Sequence, residues 1–592
     1  MFSTLVEIFS LLDRRQKTKL YLLGVLILAS SILEMISVYA IFPFMKMLSE
    51  PNFMNSHQLL INLTTFFDGN PTRAKFFAGS LIIFILFVSS LFTVATVWIL
   101  SRVSFSAGLA LANSLFEFYL KQEYIYHLNM NSSEIIKRLS NETQRLAEGI
   151  ILTAVAMFSK VSLVILMILM IIAIDPWIAL IGSLTFSSAY LIIYIFVRKY
   201  LQQNSTLISK LFGDRYRLIN ESLGSIKDLK IHQTYDHFIN RYQNSGTNLG
   251  VALGNNQAFA AFPRSLIEFL AFGSVIVFML IISATNSQNF LSGSLPLLSL
   301  YAIAGVKLIP AFQAIYNSIA KIKGSLGSYH SIREDLIDSK QEKKISNIPS
   351  IQSFKNIKLQ DICFKFNADE GYVVDHVNIS INNNNKIGII GNSGSGKSTL
   401  MNIMLGLLRY TSGSLIVDGI HYESFKSLNK ISAYVPQDIF ICDGSVKNNV
   451  AFGIATEDIE YELLHECLDK AGLTEVIQKL PLGIDTNLKE KGVRLSGGQI
   501  QRIGIARALY YKPKIIFFDE ATSALDGKTE QQVMQSIDSI SIDTTIIIIA
   551  HRLNTIKKCD QIIHLADGRV EAIGDYEAVS KLPSFEKVSG MT

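Results

Sequence analysis

The sequence predicts two domains of different class: an all-α domain with six membrane-spanning helices, then an α/β domain built on a parallel sheet. Three observations predict this. Hydrophobic residues make up 49% of the 592 residues and charged residues only 17%, against roughly 25% charged in an ordinary soluble domain. The apolar excess is confined to about the first 320 residues. A strand, a glycine-rich turn and a helix start follow one another at 386–399. The composition excludes a disordered chain, a fibrous protein and a disulfide-rich secreted scaffold. A net charge of +5 is small for this length, and nucleic acid, which needs a concentrated basic face, is not an expected partner.

A spanning helix needs about 20 predominantly apolar residues. Six stretches qualify: 20–48, 76–100, 150–174, 177–197, 259–284 and 295–320. Only Asp175-Pro176 separates the third from the fourth, and the gap 285–294 between the fifth and sixth holds no Lys or Arg. The gaps after the second and fourth are long and basic, with Arg102, Lys121, Lys137, Arg138 and Arg145 in the first of them. Arg14, Arg15, Lys17 and Lys19 precede the first span. Lys and Arg collect on the cytoplasmic side, which puts both termini and both long gaps there. These gaps are polar and free of Pro, so they are expected to continue the spans as helices beyond the membrane. The first apolar run is too long for a cleavable signal and suits an anchor. The segment 324–353, short of large apolar residues, is expected to link a membrane domain, 1–323, to a soluble domain, 354–592. Cys363, Cys442, Cys467 and Cys559 all fall in the soluble part without metal-ligand spacing, which suits a disulfide-free cytosolic domain.

Within the soluble domain, residues Gly391, Asn392, Ser393, Gly394, Ser395, Gly396, Lys397 and Ser398 fit G-x-x-x-x-G-K-[ST], with Thr399 continuing into a helix. The glycines let backbone N–H groups close around phosphate oxygens, and the helix N-terminus adds positive potential. Lys397 is expected to reach the β- and γ-phosphates of a nucleotide, and the Ser398 hydroxyl to bind Mg²⁺. A second apolar strand ends in Asp519 and Glu520. Carboxylates at the C-terminal edge of a parallel sheet stand where ligands bind. Asp519 suits the Mg²⁺ shell, and Glu520 suits a general base that orients the attacking water.

Between these two elements, 495–499 reads Leu-Ser-Gly-Gly-Gln. With this pentapeptide the chain resembles the ATP-binding-cassette (ABC) family. Other matches follow in the family's order: Gln437 in Tyr434-Val-Pro-Gln, Glu490 in 486–492, the run 523–526, and His551 in 549–552. The resemblance implies a P-loop NTPase domain using ATP and Mg²⁺, with Gln437 at the metal and attacking water and His551 at the γ-phosphate. Phe366 stands 31 positions before Lys397, where the family has an adenine-stacking aromatic, usually Tyr; Tyr372 is the nearby alternative. Six spans fused to one such domain resemble a half-exporter, which implies a second chain. Each ATP then lies between the phosphate loop of one chain and Ser496 and Gly498 of the other. All motif residues are intact, which implies a homodimer with two working sites. The resemblance also implies short coupling helices near 123–128 and 224–232.

Ionisable residues inside spans cost roughly 2.5–3.5 kcal/mol each on insertion scales. Glu34, Lys160, Arg264, Glu268 and Lys307 are of this kind. They either pair with one another, Arg264 with Glu268 and Glu34 with Lys160 or Lys307, or offer cations to an anionic substrate. The apolar positions of 52–67 suit either a short helix at the outer membrane interface or a loop. A short external helix there, and the wording of 221–231, resemble the bacterial lipid-linked oligosaccharide flippases. The expectation is a homodimeric exporter of a bacterial inner membrane, surrounded by membrane lipids, moving a lipid-linked glycan or similar amphipathic anion. Two rivals stand beside it: an exporter of peptide, lipid or drug, and a membrane-bound regulatory ATPase that transports nothing.

Overall fold

The computed structural model describes residues 2–49, 53, 65–67, 70–261, 269, 273, 276, 288–341, 349–367, 369–489, 495–520, 527–540, 543–550 and 553–582. The chain forms two compact units: Met1–Gln122 with His127–Glu342, and Glu123–Tyr126 with Lys343–Thr592.

The first unit is helical. Among the described residues, four helical runs are long and apolar enough to cross a membrane: Arg14–Ser49, Pro71–Leu120, Ser132–Ile174 and Ser299–Lys340. The expected span 177–197 lies inside the helix Pro176–Gly224. Most of 259–284, with Arg264 and Glu268, and most of 52–67 lie outside the described residues. Pro71–Leu120 has 50 residues and Pro176–Gly224 has 49. At 1.5 Å per residue each is about 75 Å long, more than twice the ~30 Å hydrocarbon core, so both extend well beyond a bilayer. Asn70 starts the first of these helices by accepting from the N–H groups of Thr72 and Arg73, with Pro71 as the opening helical residue. Asp175 is extended and separates Thr153–Ile174 from the helix that begins at Pro176, because the residue before a proline avoids the helical region.

One expectation is corrected. Residues 324–340 are not linker; they continue the helix Gln288–Lys340. Tyr329, Ile332 and Leu336 are fully buried along it, at the three- and four-residue spacing of a packed helical face. Neighbouring helices approach closely at Gly108, where a Cβ would stand 2.3 Å from that of Ala147. The run from Ser132 contains two π-helical segments, Arg138–Glu142 and Ala147–Leu152. The buried Glu142, the last residue of the first of these, accepts from Ser209 Oγ at 2.7 Å and pairs with Arg145 at 3.3 Å.

The second unit holds two sheets. The strands are β1 (Asn356–Phe364), β2 (Val374–Asn382), β3 (Lys386–Ile390), β4 (Ser412–Val417), β5 (Ile420–Tyr422), β6 (Ser432–Val435), β7 (Ile515–Asp519), β8 (Thr545–Ile549), β9 (Gln561–Ala566) and β10 (Arg569–Gly574). The smaller sheet is antiparallel, β2-β1-β4-β5; the larger runs β10-β9-β3-β8-β7-β6 and is parallel from β9 to β6. Alternate residues of β7 and β8 serve different cores, as strand pleating requires. Ile516, Phe518, Ile546 and Ile548 face one apolar cluster, and Ile515, Phe517, Ile547 and Ile549 face the other.

Candidate active site

Ile389 of β3 and Asp519 of β7 both register with Ile549 of β8. The loop that follows β3 and the carboxylates that end β7 therefore meet at one sheet edge. The loop closes tightly. Gly391 has φ 152°, and a Cβ there would stand 2.2 Å from the Leu565 carbonyl oxygen. Gly396 has φ 95° and would bring a Cβ 2.6 Å from the Val373 carbonyl oxygen. Only glycine fits such positions. Lys397 Nζ donates to the carbonyl oxygens of Gly391 and Asn392, each at 2.8 Å. Burial pushes its ammonium below the usual lysine range, and Glu520 and Asp519 act in the opposite sense. Ser395 Oγ is buried in the loop without a hydrogen-bond partner, so the cradle holds a polar group that an anionic oxygen satisfies. Ser398 and Thr399 lie in the first turn of the helix Lys397–Met404.

Asp519 Oδ2 accepts from the Tyr434 hydroxyl at 3.3 Å. Burial, with the Asp519 carboxylate beside it, pushes the Tyr434 phenol above its ordinary value, so it stays a donor. Glu520 is left-handed at φ 48° and donates its N–H to the Ile549 carbonyl oxygen at 3.3 Å. Gln437 is exposed two residues beyond β6. Hydroxyl, carboxylate and amide oxygens of Ser398, Asp519 and Gln437 are hard donors, the chemistry that Mg²⁺ takes.

Ser496 caps the helix Gly497–Tyr510 through a reciprocal pair: its Oγ accepts from Gln499 N–H at 3.4 Å, and its own N–H donates to Gln499 Oε1 at 2.9 Å. Gly498 is buried in the first turn. This helix also braces the segment around Gln437. Gln501 donates to the Pro436 carbonyl at 3.3 Å, and Arg507 donates to those of Phe440 and Asn449 at 2.9 and 2.8 Å. These braces are not readable from the sequence, because their acceptors are backbone carbonyls outside the helix. Phe366 and Tyr372 are 41% and 48% exposed, so both stacking candidates remain open to solvent. Glu490, 523–526 and His551 lie outside the described residues.

The short helix Tyr124–Asn129 begins in a stretch, Glu123–Tyr126, that belongs to the nucleotide-binding unit. There Ile125 packs on the core of Phe425 and Phe517, and Glu123 stands 3.7 Å from Lys426. The other expected coupling stretch forms the helix Ile226–His232. In the membrane unit, Lys307 Nζ lies 2.6 Å from Glu34 Oε1, and Lys160 is half-buried on Thr153–Ile174.

The pattern of the ABC transporter transmembrane region matches residues 20–304, and that of the ABC transporter nucleotide-binding part matches 374–523. The chain belongs to the ABC transporter family. This half-transporter is a multi-pass membrane protein and an ATP hydrolase coupled to transport. It is 26% identical over 523 residues to the ATP-dependent lipid A-core flippase of Cupriavidus metallidurans, covering 86% of each chain. It is 29% identical over 494 residues to the heterocyst differentiation ATP-binding protein HepA of Nostoc, covering 80% of this chain and 77% of that one. Its fold matches a bacterial Atm1-family ABC exporter solved with ATP bound, with TM-score 0.76, 20% identity and 98% of both chains covered.

Proposed function

We propose that the half-transporter works as a homodimer in a bacterial inner membrane, with its nucleotide-binding unit in the cytoplasm. Its cargo on this reading is a lipid with an anionic, saccharide-bearing head group, moved out of the cytoplasmic leaflet. The observation that carries the catalytic part is the meeting of the Lys397 loop with Asp519 and Glu520 at one sheet edge. Backbone N–H groups of 391–399 and the unpartnered Ser395 hydroxyl bind phosphate oxygens. Lys397 leaves the carbonyls of Gly391 and Asn392 for the β- and γ-phosphates. Ser398, Asp519 and Gln437 hold Mg²⁺, which neutralises charge on the phosphoryl oxygens. Glu520 orients the attacking water, His551 contacts the γ-phosphate, and Phe366 or Tyr372 stacks on the adenine. Ser496 and Gly498 of a second copy complete the site.

The cargo class rests on the relatives named lipid A-core flippases and on the charged groups of the spans, Arg264, Lys160, Lys307 and Glu34. Lys307 is paired with Glu34 but keeps 41% of its side chain accessible in the single chain, which leaves it able to meet an anionic oxygen. The test is ATP-driven movement in proteoliposomes across a panel of a lipid-linked oligosaccharide, a lipid A-core glycolipid, a peptide and a neutral drug. Movement of a glycolipid, with matching stimulation of phosphate release, is expected. Movement of the peptide or drug alone refutes the cargo class.

A further inference from the structure

Tyr434 is the third residue of β6, the edge strand of the larger sheet. It registers with Phe517 of β7. Its side chain therefore lies on the face of Phe517 and, two residues on, of Asp519. That placement brings its hydroxyl to Asp519 Oδ2 as a donor, at 3.3 Å. The same face carries the apolar core on which Ile125 packs. The phenol, the carboxylate of the nucleotide site and the seat of Ile125 thus share one face of the sheet. A carboxylate at a strand end turns easily about its terminal torsion, and a hydroxyl donor facing one of its oxygens biases its orientation.

We propose that Tyr434 is a positioning residue of the ATPase. Its hydroxyl sets the facing of the Asp519 carboxylate and so tunes the affinity of the site for its divalent metal. The inference rests on the reading of Asp519 as a Mg²⁺ group, and the experiment separates the two.

The full chain is reconstituted in lipid, and binding of Mn²⁺ in place of Mg²⁺ is followed by electron paramagnetic resonance with ATP present. ATP affinity is measured separately without divalent metal. Tyr434→Phe keeps the ring and removes the donor. It is expected to weaken Mn²⁺ binding on the order of tenfold and to leave metal-free ATP affinity unchanged, a split that a general loss of packing does not produce. Asp519→Asn tests the underlying reading: Mn²⁺ affinity equal to the parent's removes Asp519 from the metal site. If Asp519→Asn weakens Mn²⁺ binding while Tyr434→Phe does not, the positioning role is overturned.

Discussion

Glu520 occupies a backbone region that a glutamate avoids, at φ 48°. The left-handed conformation costs a residue with a Cβ about 1–2 kcal/mol, and such strain persists where the surrounding structure holds it and the side chain is used. Here the end of β7 and the bond from its N–H to Ile549 hold it. Glu520→Gln is expected to keep ATP binding and to slow phosphate release by a factor of at least about 10², with nucleotide retained on the protein; normal turnover in that variant removes Glu520 as the base. Lys397→Ala is expected to act earlier, as lost ATP affinity in a direct binding measurement, because the charge for the phosphates is gone. In the spans, the pair expected as one of two readings is present: Lys307 stands beside Glu34, which is 8% exposed. Lys307→Gln alone leaves a buried acid without its cation and is expected to lower the unfolding temperature, by a free-energy loss of about 1–3 kcal/mol. Adding Glu34→Gln is expected to restore the temperature. Recovery of transport along with stability assigns the pair a structural role; stability without transport assigns Lys307 to the cargo path.

At the scale of single elements, the helix Gly497–Tyr510 joins two duties. Its first turn presents Ser496 and Gly498, and its later turns grip the segment around Gln437 through Gln501 and Arg507. Its start is fixed by a Ser-x-x-Gln capping box written in four consecutive residues, 496–499. The grip was not legible, because its acceptors are carbonyls of a distant loop. Strand β9 carries a pH-dependent weak point. His564 is 1% exposed, with Nδ1 2.9 Å from Glu571. Burial pushes its pKa below the ordinary 6.5, and Glu571 only partly opposes this. The unfolded chain then binds more protons than the folded one once the pH falls below about 6.5. The stability linked to neutral His564 is complete above that pH and declines as acid carries the group through its lower folded value. Thermal unfolding measured from about pH 8 to pH 5 should show this decline, and His564→Gln should flatten it.

For the whole molecule, the homodimer reading makes each ATP site composite. The decisive preparation is a mixed dimer with Lys397→Ala in one chain and Ser496→Arg in the other. If sites are shared, one site carries both lesions and the other none, and roughly half of the parent ATPase activity remains on a simple count of independent sites. If each site is built within one chain, both are damaged and activity is nearly lost. The helices of 50 and 49 residues reach well past a bilayer.

The family, its ATP hydrolysis and the apolar runs that form long helices among the described residues were legible in the chain. Each is encoded in contiguous residues: a bilayer demands about 20 apolar residues in a row, and a phosphate loop is one short run of backbone. The polar surface of 324–340 concealed its helix, although Tyr329, Ile332 and Leu336 keep a helical spacing. Only the tertiary structure decided which distant side chains meet. Lys307 and Glu34 are 273 residues apart, and Tyr434 and Asp519 are 85 apart. Such meetings depend on the rotation of one helix against another and on strand register, and no local periodicity carries that information. The same is true of 123–126, whose place in the nucleotide-binding unit follows from packing on a core formed some 300 residues later in the chain.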